Sequence, residues 1–437
     1  MDELSYENMI AMLHRQFEGL PDYRTGNNTR YRIADGALGA FGAFFTQCPS
    51  FLAYQRNLKR TKGDSNAESL FGIETIPSDN HIRNLLDPLE PSLVFPLFRE
   101  IFRGLQSHGE LAKMRSHQER LLLSFDGTQY FSSQQIHCSN CSERKLANEE
   151  TLYHHQVITP VVVQPENSNV IALEPAFIVP QDGHEKQDCE RTAIKRWLQK
   201  HGSFYAEHGC TALGDDLYCC QPICEQFVAT GFDFIFVCKP DSHEILYEWI
   251  EYLEKTGEVE HLTMRHWNGR YAERWEYRFV NDVPIRGGGD ALEVNWCEIT
   301  ITRKDNGRQL YHNSFATSHK ITKSNVVSIV QDGRARWKSE NENNNVLKTK
   351  GYHLEHNFGH GQQFLASFLL TLNLLAFLFH TVFGLLDERY QLIRKELGPR
   401  KTFFNDMRAL LRYMIFEDWS HLLSFMMEGL ELEFDTS

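Results

Sequence analysis

Two aspartates stand where short apolar runs stop. Residues 121–125 (LLLSF) end at Asp126-Gly127, and residues 210–213 end at Gly214-Asp215-Asp216. Carboxylates at the carboxyl ends of neighbouring strands meet at one edge of an α/β sheet, the edge where ligands bind. Grouped carboxylates repel one another unless a cation joins them, and hard oxygen ligands favour Mg²⁺ or Mn²⁺. Taken singly, each aspartate is also an ordinary turn residue after a strand. A third acid, Glu340, lies in RARWKSENENNNVLKTKG, a segment dense in charge and amide. Arg336 and Glu340 are four apart, on one helical face. This polar stretch runs straight into a very apolar one, which favours a site lining over a solvated surface. Asp216 and Glu342 are the nearest substitute acids. A second constellation is His137-Cys138-x2-Cys141, half of a zinc site. Cys189 is the expected third ligand, with His137, His154, His155 or His184 as the fourth; Cys219, Cys220 and Cys224 are weaker choices.

The elements that position these residues follow from pattern. Residues 1–118 read as helical, with Leu38, Phe41, Phe44 and Phe45 at helical spacing. Strands are expected at 121–125, 157–163 and 170–173, with Pro160 marking an edge or bulge in the second. A helix over 186–202, a strand at 210–213, a helix from Pro222, a strand at 232–238 and a helix over 243–254 follow. Three strands, then strand–helix alternation, give a mixed sheet with helices on its faces. That order is the order of a ribonuclease-H-like core. In residues 255–330, Trp275, Tyr277 and Phe279 alternate with charged residues, as do Leu292, Val294 and Trp296 with polar ones, around Gly287-Gly288-Gly289. Period two with a glycine turn predicts an antiparallel β insertion with one wet face. The expected organisation is a helical N-terminal region (1–118), a first core part (119–254), the insertion (255–330), a second core part carrying the Glu340 helix (331–386) and a helical C-terminal region (387–437).

With these residues in view, the sequence resembles DDE-class transposases of bacterial insertion sequences, in the group with a β insertion before the last acid. A strand ending in Asp126-Gly127, a later Asp215-x2-Tyr218, the insertion, and Arg336-x3-Glu340 from the group's Y-x2-R-x3-E-x6-K signature carry the likeness over about residues 30–420. The tyrosine slot holds Gly333, and the lysine slot holds Leu347, with Lys348 next to it. The resemblance implies that Asp126, Asp215 and Glu340 hold two Mg²⁺ or Mn²⁺ ions. They would cut phosphodiesters at the element's terminal inverted repeats and join the freed 3′-hydroxyl to target DNA. Arg336 and Lys348 would hold phosphates, and Trp267, Trp275 or Trp296 would stack on an extruded base. A homodimer synapsing two ends in a bacterial cytoplasm is implied. A nuclease without strand transfer and a non-catalytic DNA-binding remnant are the alternatives.

The bulk numbers bound this reading. Net charge is −13, against the basic balance usual for DNA binding. Yet residues 14–63 carry eight Lys/Arg against three acids, so a basic patch including Arg30, Arg32, Lys59 and Arg60 is expected to bind phosphates. Ten cysteines without a framework suggest a reducing compartment. Residues 364–386 lack any Asp, Glu, Lys or Arg over 23 positions. Ser367, Thr371, Asn373 and His380 inside them favour a buried core helix over a membrane span.

Overall fold

The run LLLS (Leu121–Ser124) is buried at every position and forms β1, an interior strand of a nine-stranded sheet. The computed structural model describes residues 3–25, 30–58, 64–180 and 189–433. The strands that follow are β2 (Gly127–Ser133), β3 (Ser142–Lys145), β4 (Thr151–Ile158), β5 (Val161–Gln164), β6 (Asn167–Ala172) and β7 (Ala176–Ile178). After them come β8 (Cys210–Gly214), β9 (Asp233–Val237), β10 (Glu260–Trp267), β11 (Ala272–Pro284), β12 (Glu293–Arg303) and β13 (Gln309–Thr317). The large sheet runs β10-β11-β12-β13-β9-β8-β1-β5-β6. β1 is antiparallel to β5 and parallel to β8, and β8 is parallel to β9. The architecture is therefore mixed α/β, a large mixed sheet with flanking helices.

Three elements differ from the sequence expectation. The apolar run 157–163 is not one strand. It breaks at Thr159-Pro160, so β4 pairs in a small sheet (β2-β4-β3, with β7 on β4) while β5 joins the large one. Proline cannot donate to a ladder, and here it marks the point where the chain changes sheet. The helix beginning at Glu190 does not stop near Gly202; it passes through a π-helical turn, Leu198–Gly202, and ends at Ala206. The four strands of residues 255–330 are antiparallel, and β13 pairs with β9, so they extend the core sheet.

The apolar stretch is a helix, Leu365–Leu386, long and apolar enough to cross a membrane by length and composition. Every residue from 368 to 383 is buried within the protein, against β6 and the helix Ile33–Phe45. Its polar groups find partners inside: Asn373 Nδ2 donates to the Tyr352 carbonyl (2.8 Å), and His380 Nδ1 pairs with the Tyr352 hydroxyl (2.6 Å). Phe41 and Phe45 of the N-terminal helix meet Phe379 edge to face. Helices from both ends of the chain thus share one core with the sheet.

Candidate acidic site and Cys/His cluster

Parallel pairing of β1 with β8 aligns Ser124 with Leu213, and the Phe125 amide donates to the Leu213 carbonyl at 2.9 Å. The chain leaves both strands at one edge, which puts Asp126 and Asp215 side by side. Burial pushes the Asp126 carboxyl from 3.8 up to about 6; the Arg336 guanidinium opposes this, and Glu190, Asp215 and Glu340 push the same way. Asp126 therefore senses both other acids of the expected trio. Among the described residues, no three carboxylates have ligand oxygens all within 4.8 Å. Arg336 Nη1 stands 3.8 Å from Asp126 Oδ1.

Glu340 sits in a π-helical turn, Ser339–Asn344. Such turns recur at functional sites because they break the 3.6 phase. Here the turn buries Ser339, Asn343 and Asn344 while Glu340 stays exposed. Asn344 Nδ2 donates to Asp126 Oδ2 (3.0 Å), and its Oδ1 accepts from the Thr159 hydroxyl (2.8 Å). Asn343 Nδ2 donates to the same Thr159 oxygen at 3.0 Å. The asparagine run is thus a buried network clamping the sheet change at Thr159 to the acid site. Asn344 was missed from the sequence, where it looks like one more polar residue.

Glu190, also missed, is a fourth carboxylate at this edge. It accepts from the Tyr218 hydroxyl at 2.7 Å and from the Gly127 amide, and burial raises its pKa with Asp215 adding to the effect. A Cβ on Gly127 would lie 2.6 Å from Glu190 Oε2, so a larger residue after Asp126 would push the Glu190 carboxylate aside. Tyr218 is buried against Gly214 and fixes Glu190, which gives the Asp-x2-Tyr spacing a mechanical reason. Asp216 faces elsewhere: its Oδ1 accepts from the Lys239 amide (2.7 Å) and lies 3.4 Å from His243 Nε2, next to a buried Cys219/Cys238/His243 group. Glu342 acts on the buried Lys338 ammonium. Neither substitute acid is among the charges acting on Asp126.

The expected DNA contacts are dispersed. Lys348 pairs with Glu355 at 3.0 Å. Arg30 lies over the Tyr31 ring, and Arg32 pairs with Asp35 at 2.8 Å, capping its own helix. Lys59 and Arg60 lie outside the described residues. Of the three tryptophans, Trp296 is fully buried and unavailable for stacking, Trp275 is half-buried under Arg334, and Trp267 is exposed on the edge strand β10.

The thiol pair forms a different site from the one expected. Cys138 and Cys141 gather with His155 and His360, all ligand atoms lying within 4.8 Å. Cys189 is exposed, its sulfur 3.4 Å from the Thr192 hydroxyl, and is no part of this group. The reason is topological. Glu190 pins the helix start to Gly127 at the acid edge, whereas β2 carries the chain on the order of 20 Å onward before the thiol loop begins. His137 is also excluded, its ring stacked on Tyr153 at 4.3 Å and its Nδ1 paired with the Gln135 carbonyl. His184 lies outside the described residues. His155 was one of several options in the sequence, and His360, in GHG, was not among them. The chain matches no family model and no curated protein.

Proposed function

We propose that this chain is a metal-dependent DNA transposase of the DDE class, built on a ribonuclease-H-like core. The strand order supports the core: an antiparallel β1, β5 and β6 set, with β8 and β9 parallel to β1 and helices between them. The observation that carries the chemistry is what gathers around Asp126: β8 runs parallel beside β1, so Asp215 leaves the same sheet edge, and Arg336 and Asn344, on either side of Glu340, both reach the Asp126 carboxyl. An all-oxygen donor set that repels itself is the set a Mg²⁺ or Mn²⁺ ion relieves. Such ions supply Lewis acidity for activating the attacking oxygen and stabilising the leaving one.

Asp126, Asp215 and Glu340 would hold the ions. Asn344 orients Asp126, and Glu190 with Tyr218 fixes the backbone that follows it. Arg336 partly neutralises Asp126 now and would turn to a DNA phosphate once a cation takes over that task. Lys348, Arg30, Arg32, Lys59 and Arg60 are proposed to contact phosphates further out. The partners in this reading are the element's terminal repeats and target DNA, with two copies synapsing two ends in a bacterial cytoplasm.

The experiment incubates the purified chain with a plasmid carrying the element's own ends, a second target plasmid and Mg²⁺. Joined products with ends in the target support transposition. Cut ends without joining would reduce the reading to a nuclease. Binding with no cutting in Mg²⁺ or Mn²⁺ would make the chain a non-catalytic DNA-binding protein.

A further inference from the structure

We propose that Cys138, Cys141, His155 and His360 hold one structural Zn²⁺, which fastens the small β2-β4-β3 sheet to the strap between the Glu340 segment and the buried helix. Zinc binds thiolate sulfur at about 2.3 Å and imidazole nitrogen at about 2.0–2.1 Å in a tetrahedron. A tetrahedron of those bond lengths separates sulfurs by about 3.8 Å, sulfur from nitrogen by about 3.6 Å, and nitrogens by about 3.3 Å. In the protein the two sulfurs are 4.0 Å apart. Cys138 Sγ lies 3.7 Å and Cys141 Sγ 3.5 Å from His155 Nε2, and Cys141 Sγ lies 3.4 Å from His360 Nε2. The two Nε2 atoms are 3.1 Å apart. Five edges of one tetrahedron are met at once. A disulfide would need sulfurs about 2.05 Å apart.

The surroundings agree. His360 Nδ1 donates to the Gly361 carbonyl at 2.9 Å, which leaves the Nε2 lone pair facing inward, the tautomer a metal-bound imidazole needs. Aromatic rings of Tyr130 and Phe131 cover the histidines. Two thiolates with two imidazoles in a tetrahedral set select zinc among common ions. Four protein ligands leave no open position for water, so the site is structural.

The ligands come from a loop after β2, from β4, and from residue 360, 205 positions beyond His155. The strap around His360 is anchored on its other side as well. Arg83 Nε donates to the Phe358 carbonyl (2.7 Å), and Asp87 accepts from the Gln362, Gln363 and Leu365 amides. Asn140, within the thiol loop, donates to the Gln363 carbonyl at 2.7 Å. One ion thus closes a joint between the small sheet that follows Asp126 and the strap that follows Glu340.

The test is elemental analysis of the full-length chain purified without chelator, together with its Co²⁺-substituted form. About one zinc per chain and the sulfur-to-cobalt charge-transfer band of a tetrahedral site are expected. Cys138→Ser and His360→Ala should each bring zinc content to near zero. Because either variant could misfold, hydrogen exchange of the wild-type chain is compared with and without chelator. Faster exchange confined to residues 134–155 and 351–364 is expected. A natively folded wild-type chain with no zinc after purification in zinc-containing buffer, or zinc retained at about one per chain by both variants, would overturn the proposal.

Discussion

Asp126 carries an electrostatic cost when it is ionised. Its carboxyl titrates at about 6 rather than 3.8 because it is buried beside Glu190, Asp215 and Glu340. A carboxyl raised in the folded state destabilises it above that pKa, and the penalty fades as pH falls from about 6 toward 3.8. Metal-free protein should therefore gain stability on acidification through that window. Asp126→Asn should remove this part of the pH dependence and stabilise the metal-free chain by about 1–3 kcal/mol at pH 7.5. Denaturant titration at two pH values checks it, and Asp332, also raised to about 6, cancels because both proteins contain it. Unchanged stability in Asp126→Asn would mean that burial and the neighbouring acids do not penalise the charged carboxylate. Gly127→Ala should cost about 1–3 kcal/mol, since its methyl would strike Glu190. Adding Glu190→Ala should recover part of that loss, a coupling that a double-mutant cycle reads directly. The place of Asp126 and Asp215 just past two strands was legible because an apolar run ending in aspartate is a local pattern. Glu190 was not, since an acid in a first helical turn looks like ordinary dipole matching.

At the scale of elements, the buried helix Leu365–Leu386 packs against β6 and the helix Ile33–Phe45. Leu372→Ala, at a fully buried position, should cost about 2–5 kcal/mol in urea unfolding; a loss below about 0.5 kcal/mol would mean the helix is not packed as described. The composition of this helix announced burial, and its four interspersed polar residues announced internal partners. The break at Thr159-Pro160 was only half legible. Proline signalled an interruption, but the move of the chain to another sheet depends on pairing partners distant in sequence. The π-helical turn at Ser339–Asn344 was not legible, because its asparagines suit a solvated surface equally well. Their burial comes from Thr159, which hydrogen-bonds both Asn343 and Asn344.

Across the whole molecule, the sheet edge collects acids from β1, β8 and the C-terminal half, and the Cys/His cluster ties those halves together from the side. The thiol pair was legible as half a site, but His360 lies too far along the chain for spacing to reveal it. Cys189 seemed plausible only while the position of its helix was unknown. Withdrawing zinc should loosen the joint between the small sheet and the strap, so chelator-treated protein should melt at a lower temperature and regain its original melting point on zinc addition. An identical melting curve after complete zinc removal would separate the cluster from the stability of the fold. The central claim is that Asp126, Asp215 and Glu340 act as one metal-holding set on DNA. It is tested most directly by the Mn²⁺-dependent rate at which Asp126→Asn, Asp215→Asn and Glu340→Gln cut a duplex carrying the element's end. The account predicts that each single change reduces cutting at least about a thousandfold, of the size seen when one member of a catalytic unit is removed, while end binding persists. Wild-type cutting by any one of the three variants would contradict it.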